Sequence, residues 1–174
     1  MIGLQRGKVQ IVPHHAEWKT AFQREAILLR SVFADAILNI EHIGSTAIEG
    51  MAAKPIIDLM CVVSSLEEAK SFRTRLETLG YEYRPDESVP DRIFFAKGPR
   101  SNRTHHLSLT EPDSTFYKEK LLFRDYLRTH TEAAEKYCRL KEELADKYAD
   151  NRGAYTEGKS DFVKQILSLA REKA

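Results

Sequence analysis

The segment Ile56 to Val63 reads IIDLMCVV, an apolar run interrupted only by Asp58. A run this short and this rich in apolar and β-branched residues is a strand buried on both faces, so the chain must build a sheet covered on two sides. Leaving even a neutral polar group without a partner there costs about 2 to 7 kcal/mol, and Asp58 therefore requires a cation, a donor or a metal. Lys54 or Arg103 would make it half of a structural salt bridge, whereas a bound ion would make it functional.

The pattern around this strand fixes the rest of the architecture. Trp18, Phe22, Leu29 and Phe33 recur at helical spacing between Ala16 and Ala36, and a strand follows from Ile37 to Ile43. Beyond the central strand, Leu66, Ala69, Phe72, Leu76 and Leu79 mark a helix that Gly80 ends. Two strands, Arg92 to Lys97 and Thr104 to Thr110, flank the Gly98-Pro99 turn. Apolar stripes then predict helices from Phe116 to His130, Glu132 to Tyr148 and Ser160 to Glu172, with Ser160 as N-cap of the last. The expected fold class is α+β, a small mixed β-sheet packed with helices and a helical C-terminal part.

The 174 residues, 42% hydrophobic and 30% charged, fit one domain over 1–174, which at this size buries about 70% of its unfolded surface. Cys61 and Cys138 have no C-x-x-C spacing and read as reduced, buried thiols, so a cytoplasmic location is expected. The opening MIGLQRGKVQ has no apolar signal core, and no run approaches the roughly 20 apolar residues of a membrane span. With 27 basic and 26 acidic residues spread along the chain, bulk attraction to nucleic acid is not indicated. An anionic ligand must be met by a local cluster.

Gly44-Ser45-Thr46 follows the first strand, where glycine lets backbone N–H groups turn inward and the hydroxyls add donors for phosphate oxygens. A bare Gly-Ser-Thr is also an ordinary turn. Asp58 on the next strand can come to the same sheet end and ligate Mg²⁺ together with substrate phosphates. On the strand Arg103 to Ser108, alternation allows one histidine of the His105-His106 pair to face the site. His106 is expected there, since Thr104, His106 and Ser108 form a polar face while Leu107 and Leu109 point to the core. A neutral imidazole at that place ligates a metal or moves a proton, or else is simply a hydrogen-bonded sheet histidine. His42 shares a face with Gly44 and is a second candidate, while His14, His15 and His130 read as surface or capping residues. Asn151 to Lys159 reads as a polar loop whose Tyr155 and Lys159 would stack on a base and contact phosphate, or simply be solvated. Arg124-Asp125 and the charges from Glu132 to Lys147 read as helix-surface pairing.

Taken together, HIGSTAIEG, AKPIIDLM, RTHHLSL, LLFRDYLRTHTEAAEKY and YTEGKSDFV resemble the GrpB family from about Ile37 to Leu169. The resemblance implies a nucleotidyltransferase-like fold, and relatives that stand alone or are appended to dephospho-coenzyme A kinase domains, which makes a coenzyme A biosynthesis enzyme a candidate partner. The fold's usual signature is Gly-Ser, a gap, then Asp-x-Asp or Asp-x-Glu holding two metals. Gly44-Ser45 and Asp58 fit it, but Met60 stands where the second carboxylate belongs, and a thioether does not replace a carboxylate for Mg²⁺. The family pattern His-Leu-His is likewise His106-Leu107-Ser108 here.

Three functions follow. The first is a divergent nucleotidyltransferase-like enzyme, with Asp58, His106 and Lys54 catalytic and Asp58 and His106 on a divalent metal, Mg²⁺ or Mn²⁺. Its nucleotide or phosphate ester would be held by His42, Gly44, Ser45, Thr46, Arg103, Tyr155 and Lys159. The second is a non-catalytic module binding a nucleotide or a coenzyme A-like ligand, and the third is a protein-interaction role for the charged helices.

Overall fold

A computed structural model describes residues 1–172. Helix α1 (Glu17–Phe33) buries Trp18, Leu29, Val32 and Phe33, the stripe that the spacing predicts. Strand β1 (Ile37–Ile43) lies antiparallel to β2 (Ile57–Val63). Two short helices, α2 (Leu66–Ala69) and α3 (Arg73–Thr78), lead to β3 (Tyr81–Tyr83), and then come β4 (Ile93–Lys97) and β5 (His105–Thr110). The sheet order is β1-β2-β5-β4-β3, with β2 and β5 parallel and the remaining neighbours antiparallel. A mixed five-stranded sheet with β2 internal is what an apolar run demands, because both its faces are covered.

The two faces are packed differently. Register places Ile40, Leu59, Cys61, Leu107, Leu109 and Phe95 on one face, where they join Trp18, Leu29, Phe33 and Leu76 in the main core. The other face carries Asp58, Met60, His106, Ser108 and Phe94. Helices α4 (Thr115–Thr129), α5 (Thr131–Lys147), α6 (Arg152–Gly158) and α7 (Ser160–Glu172) follow. Leu127, Tyr137 and Ile166 close a second core over Ile48 and Met51, residues of the connector between β1 and β2. The connector thus lies between the sheet and the helices.

Several boundaries differ from expectation. The helix predicted over 66–79 is broken at 70–72 by a 3-10 turn, where the Ser71 hydroxyl donates to the Glu68 carbonyl instead of leaving it to the helix. Gly80 takes φ 85° at its end, as a left-handed cap requires. The supposed loop over 151–159 is mostly α6, capped by the Asn151 side chain accepting from Ala154 N–H at 3.0 Å. Ser160 is the first residue of α7. Strand β3, three residues long, is too short for alternation to reveal. Cys61 and Cys138 are free, and burial pushes the Cys61 thiol up. No helix among the described residues is long and apolar enough to cross a membrane.

Candidate functional site

At the end of β1 the backbone turns at Gly44, φ 72° and ψ −173°, a conformation essentially confined to glycine, and Ser45–Ala47 form a 3-10 turn. Register sets Ile43 opposite Asp58, so the turn rests against that carboxylate. A Cβ on Gly44 would stand 2.6 Å from Asp58 Oδ2, closer than any real contact, so glycine is needed for space as well as for φ. The Gly-Ser turn and the carboxylate are one structural unit.

The parallel pairing of β2 with β5 places His106 beside Asp58, as alternation predicts, and sends His105 to the opposite face near Glu25. His106 Nδ1 lies 3.1 Å from Asp58 Oδ1, and its ring packs 5.2 Å from Phe94. While Asp58 is ionised, that bond requires the proton on Nδ1. Burial by itself would raise the Asp58 carboxyl, but the His106 hydrogen bond, then the charges of His106, Lys54 and Lys120, hold it below the ordinary carboxylate range. Its side chain is 36% exposed and lines a cleft. The pairing of Asp58 with Lys54 or Arg103 is therefore replaced by one with His106; neither cation is among its ion pairs in the described residues.

The cleft encloses about 790 Å³ between the sheet end and the helices. Eight lysines and arginines line it against three carboxylates. Two of those carboxylates are neutralised locally, Glu87 by Arg152 at 3.0 Å and Glu119 by Arg171 at 2.6 Å. Lys141 of α5 donates to Ser45 Oγ at 3.0 Å and also to the Ala52 carbonyl, with its pKa lowered to about 8, chiefly by burial. Lys159, between α6 and α7, lies 4.3 Å from the centre of the buried Tyr155 ring, and Lys54 lies 5.3 Å from the same ring. Burial, then the charges of Lys54 and Lys141, lower Lys159 to about 7. Lys54 and Lys120 are lowered as well, burial again first.

Two expected site residues stand elsewhere. His42 pairs across from Leu59 and so faces α1, stacked 4.7 Å from Phe22, not the Asp58 side. It reaches the site only from behind, through Thr46 Oγ1 at 3.0 Å, and burial lowers its pKa to about 4, so it is neutral. Arg103 is buried, donates to the Gly98 carbonyl at 2.5 Å and pairs with Glu82, away from the cleft wall. Gly44, Ser45, Thr46, Lys54, Asp58, His106, Tyr155 and Lys159 all line the cleft.

Sequence reasoning missed Lys120, Lys141, Arg124 and Arg128. Arg124, taken for a surface residue, is buried and donates from Nη1 to Glu41 Oε2 at 2.7 Å and to the His42 carbonyl at 2.9 Å. Arg128 donates to the Ala47 carbonyl at 2.8 Å. Both pin α4 to the β1 end and its turn. The signal was available for Lys141: Tyr137, Lys141 and Ala145 recur every fourth residue and are the three buried positions of α5.

The donor set bears on any metal. Asp58 and His106 form one carboxylate–imidazole pair, and no group of three or more His, Cys, Asp or Glu able to hold an ion exists among the described residues. Met60, in place of the second carboxylate, is fully buried. A two-ion centre does not fit these side chains, whereas one divalent ion fits if ligand phosphates complete its shell.

Comparison with known proteins identifies the family and the fold. The family described as GrpB protein matches residues 8–169. The UPF0157 protein YqkA of Bacillus subtilis is 38% identical over 94% of the chain, which spans 48% of that relative's length. The glutamate-rich protein GrpB of Alkalihalophilus pseudofirmus is 35% identical over 97% of this chain and 99% of its own. The crystal structure of conserved protein GrpB from Enterococcus faecalis superposes with a TM-score of 0.87 at 34% identity, covering 94% of this chain and 98% of the other. The Cid1 poly(U) polymerase, solved with MgGTP bound, shares the fold at a TM-score of 0.51 and 17% identity, over 80% of this chain and 44% of that one. The fold is nucleotidyltransferase-like.

Proposed function

Because this chain belongs to the GrpB family, we propose that its cleft binds a nucleotide or another phosphate ester and acts on it as a divergent nucleotidyltransferase-like enzyme. One observation carries the reading: the Gly44 turn is seated on Asp58, and the Lys141 ammonium is fixed on Ser45 of the same turn. Carboxylate, turn hydroxyl and cation converge on one point of an electropositive cleft, as phosphate recognition requires. In this reading Lys54 and Lys159 neutralise phosphate charge, Tyr155 supplies the wall between them, and His106 orients Asp58. Asp58, held by His106, would bind a single Mg²⁺ or Mn²⁺ with the ligand's own oxygens, and that ion would polarise a phosphoryl group.

The test is thermal unfolding of wild type and Asp58→Asn with nucleotides and coenzyme A precursors, each with and without Mg²⁺ or Mn²⁺. A ligand at about a hundred times its Kd adds roughly 2.7 kcal/mol, which raises the Tm of a chain this size by about 5 to 11 °C. No shift with any phosphate ligand sinks the proposal. Binding without turnover is the second reading, favoured by the fully buried Met60 where a second ligand would stand. A product assay with the ligand giving the largest shift separates the two.

A further inference from the structure

The cleft holds more positive charge than its own residues neutralise. Four ammonium groups, those of Lys54, Lys120, Lys141 and Lys159, line it from four different segments, and among the described residues none of them makes an ion pair. Glu87 and Glu119 are already satisfied by Arg152 and Arg171, which leaves Asp58 as the only carboxylate facing the four. Asp58 is itself bonded to His106. Arg92 also lines the cleft without an ion pair among the described residues, so with every lysine protonated the excess is four positive charges, which in a partly dehydrated cleft is costly unless something fills it. Each ammonium is pulled down by burial, and Lys159 further by the neighbouring lysines, as expected of a cationic site waiting for an anion.

Resting on the phosphate-ester reading above, we infer that these four lysines take the place of the second metal ion: the site binds chains of two or more linked phosphates through its own ammonium groups, without an added divalent cation. A single phosphate group carries about −1.5 to −2 charge at neutral pH, too little to match the excess, whereas a triphosphate matches it. Placement agrees with charge. Lys141 is held at the foot of the Gly-Ser turn, Lys54 and Lys159 share the Tyr155 ring, and Lys120 projects from α4 beside Phe116, 5.3 Å from its centre. The four come from four separate segments, two of them at the Tyr155 ring.

Calorimetric titration of EDTA-treated protein with inorganic tripolyphosphate, pyrophosphate and orthophosphate, at about 0.15 M salt, tests this. Tripolyphosphate is expected to bind at least about tenfold more tightly than orthophosphate, and Lys120→Gln and Lys159→Gln each to weaken it about fivefold or more. Lys120 is exposed along α4 and makes no ion pair among the described residues, so its variant is expected to fold even if the Lys159 variant does not. Asp58→Asn removes the opposing charge and is expected to tighten cation-free binding. Binding that appears only with Mg²⁺ and disappears in Asp58→Asn overturns the inference while leaving the phosphate-ester reading intact. No binding in either condition overturns both.

Discussion

Replacing Gly44 by alanine tests whether the turn and the carboxylate are one unit. The native φ of 72° with ψ −173° is a region that an L side chain occupies only at a cost of about 1 to 3 kcal/mol. The added methyl would lie 2.6 Å from Asp58 Oδ2 and 3.3 Å from its Cβ. Asp58 has a short side chain tied to His106, so it moves only by breaking that bond, and such overpacking adds about 1 to 3 kcal/mol. The two terms together predict a loss of about 2 to 6 kcal/mol, or about 4 °C of Tm or more at 2 to 4 °C per kcal/mol. Urea unfolding followed by the fluorescence of Trp18, the single tryptophan and fully buried, measures it. In an Asp58→Ala background the carboxylate contact vanishes while the 3.3 Å contact with Cβ and the backbone share stay, so Gly44→Ala should cost less there, by about 1 to 2 kcal/mol. If the two substitutions add within about 0.5 kcal/mol, the turn does not rest on Asp58 and the account of the site fails.

Arg124→Ala leaves the partly buried Glu41 carboxylate and the His42 carbonyl without their donor, and urea unfolding should register a loss of about 2 to 4 kcal/mol; a loss below about 0.5 kcal/mol would make it a surface residue after all. Met60→Asp should not restore a two-metal site but cost about 3 to 5 kcal/mol, because the new carboxylate is buried without a partner. Its folded-state pKa is raised, so the penalty grows as pH rises through the unfolded value of about 3.9, and stability at about pH 5 should exceed that at about pH 7. Phosphate affinity should fall as pH rises from about 6 to about 9, since anions bind the protonated lysines. Lys159 at about 7 faces Lys54, Lys141, Lys120 and Asp58, and Lys141 sits at about 8; titrations showing a flat or rising affinity would contradict this. Cys61 should remain unlabelled by thiol reagents until the protein unfolds, which mass spectrometry after a timed quench detects.

What could be read from the sequence was set by local periodicity. The IIDLMCVV run identifies β2 as internal, and period-two alternation separates His106 from His105 correctly because both lie on one strand. Alternation fails at His42 because it relates residues within β1 but not β1 to β2. A shift of one residue in pairing exchanges the faces, and only the structure puts Ile43, not His42, beside Asp58. Arg124 was hidden by composition, since charged residues on amphipathic helices are usually solvated, whereas Lys141 shares the legible stripe of Tyr137 and Ala145. Nothing local says that these helices turn that face toward the β1 turn. Arg103 was misplaced because adjacency to His105 and His106 in sequence says nothing of Glu82, which claims it from the strand at the far edge of the sheet. Helix α6, with two glycines in seven residues, has little intrinsic propensity and is held by packing of Tyr155 with Val9 and Ala145.

The graded burial of one sheet face accounts for methionine at 60 two residues from the carboxylate at 58. Along β2, Asp58 opens to the cleft while Met60 and Val62 are sealed, and along β5 the same holds for His106 against Ser108 and Thr110. Only the leading ends of the two parallel strands are wet. A carboxylate at 58 is stabilised by His106 and the cleft cations, but one at 60 would be desolvated beneath the helices with nothing opposite it except Glu41 and Ser108. Methionine at 60 is then a packing choice imposed by the helical layer, and the positive charge that a second ion would have contributed is already present in the lysines those helices and the Lys54 connector bring to the cleft. The sealed Met60 and the lysines of the cleft both follow from the helical layer that closes the same face.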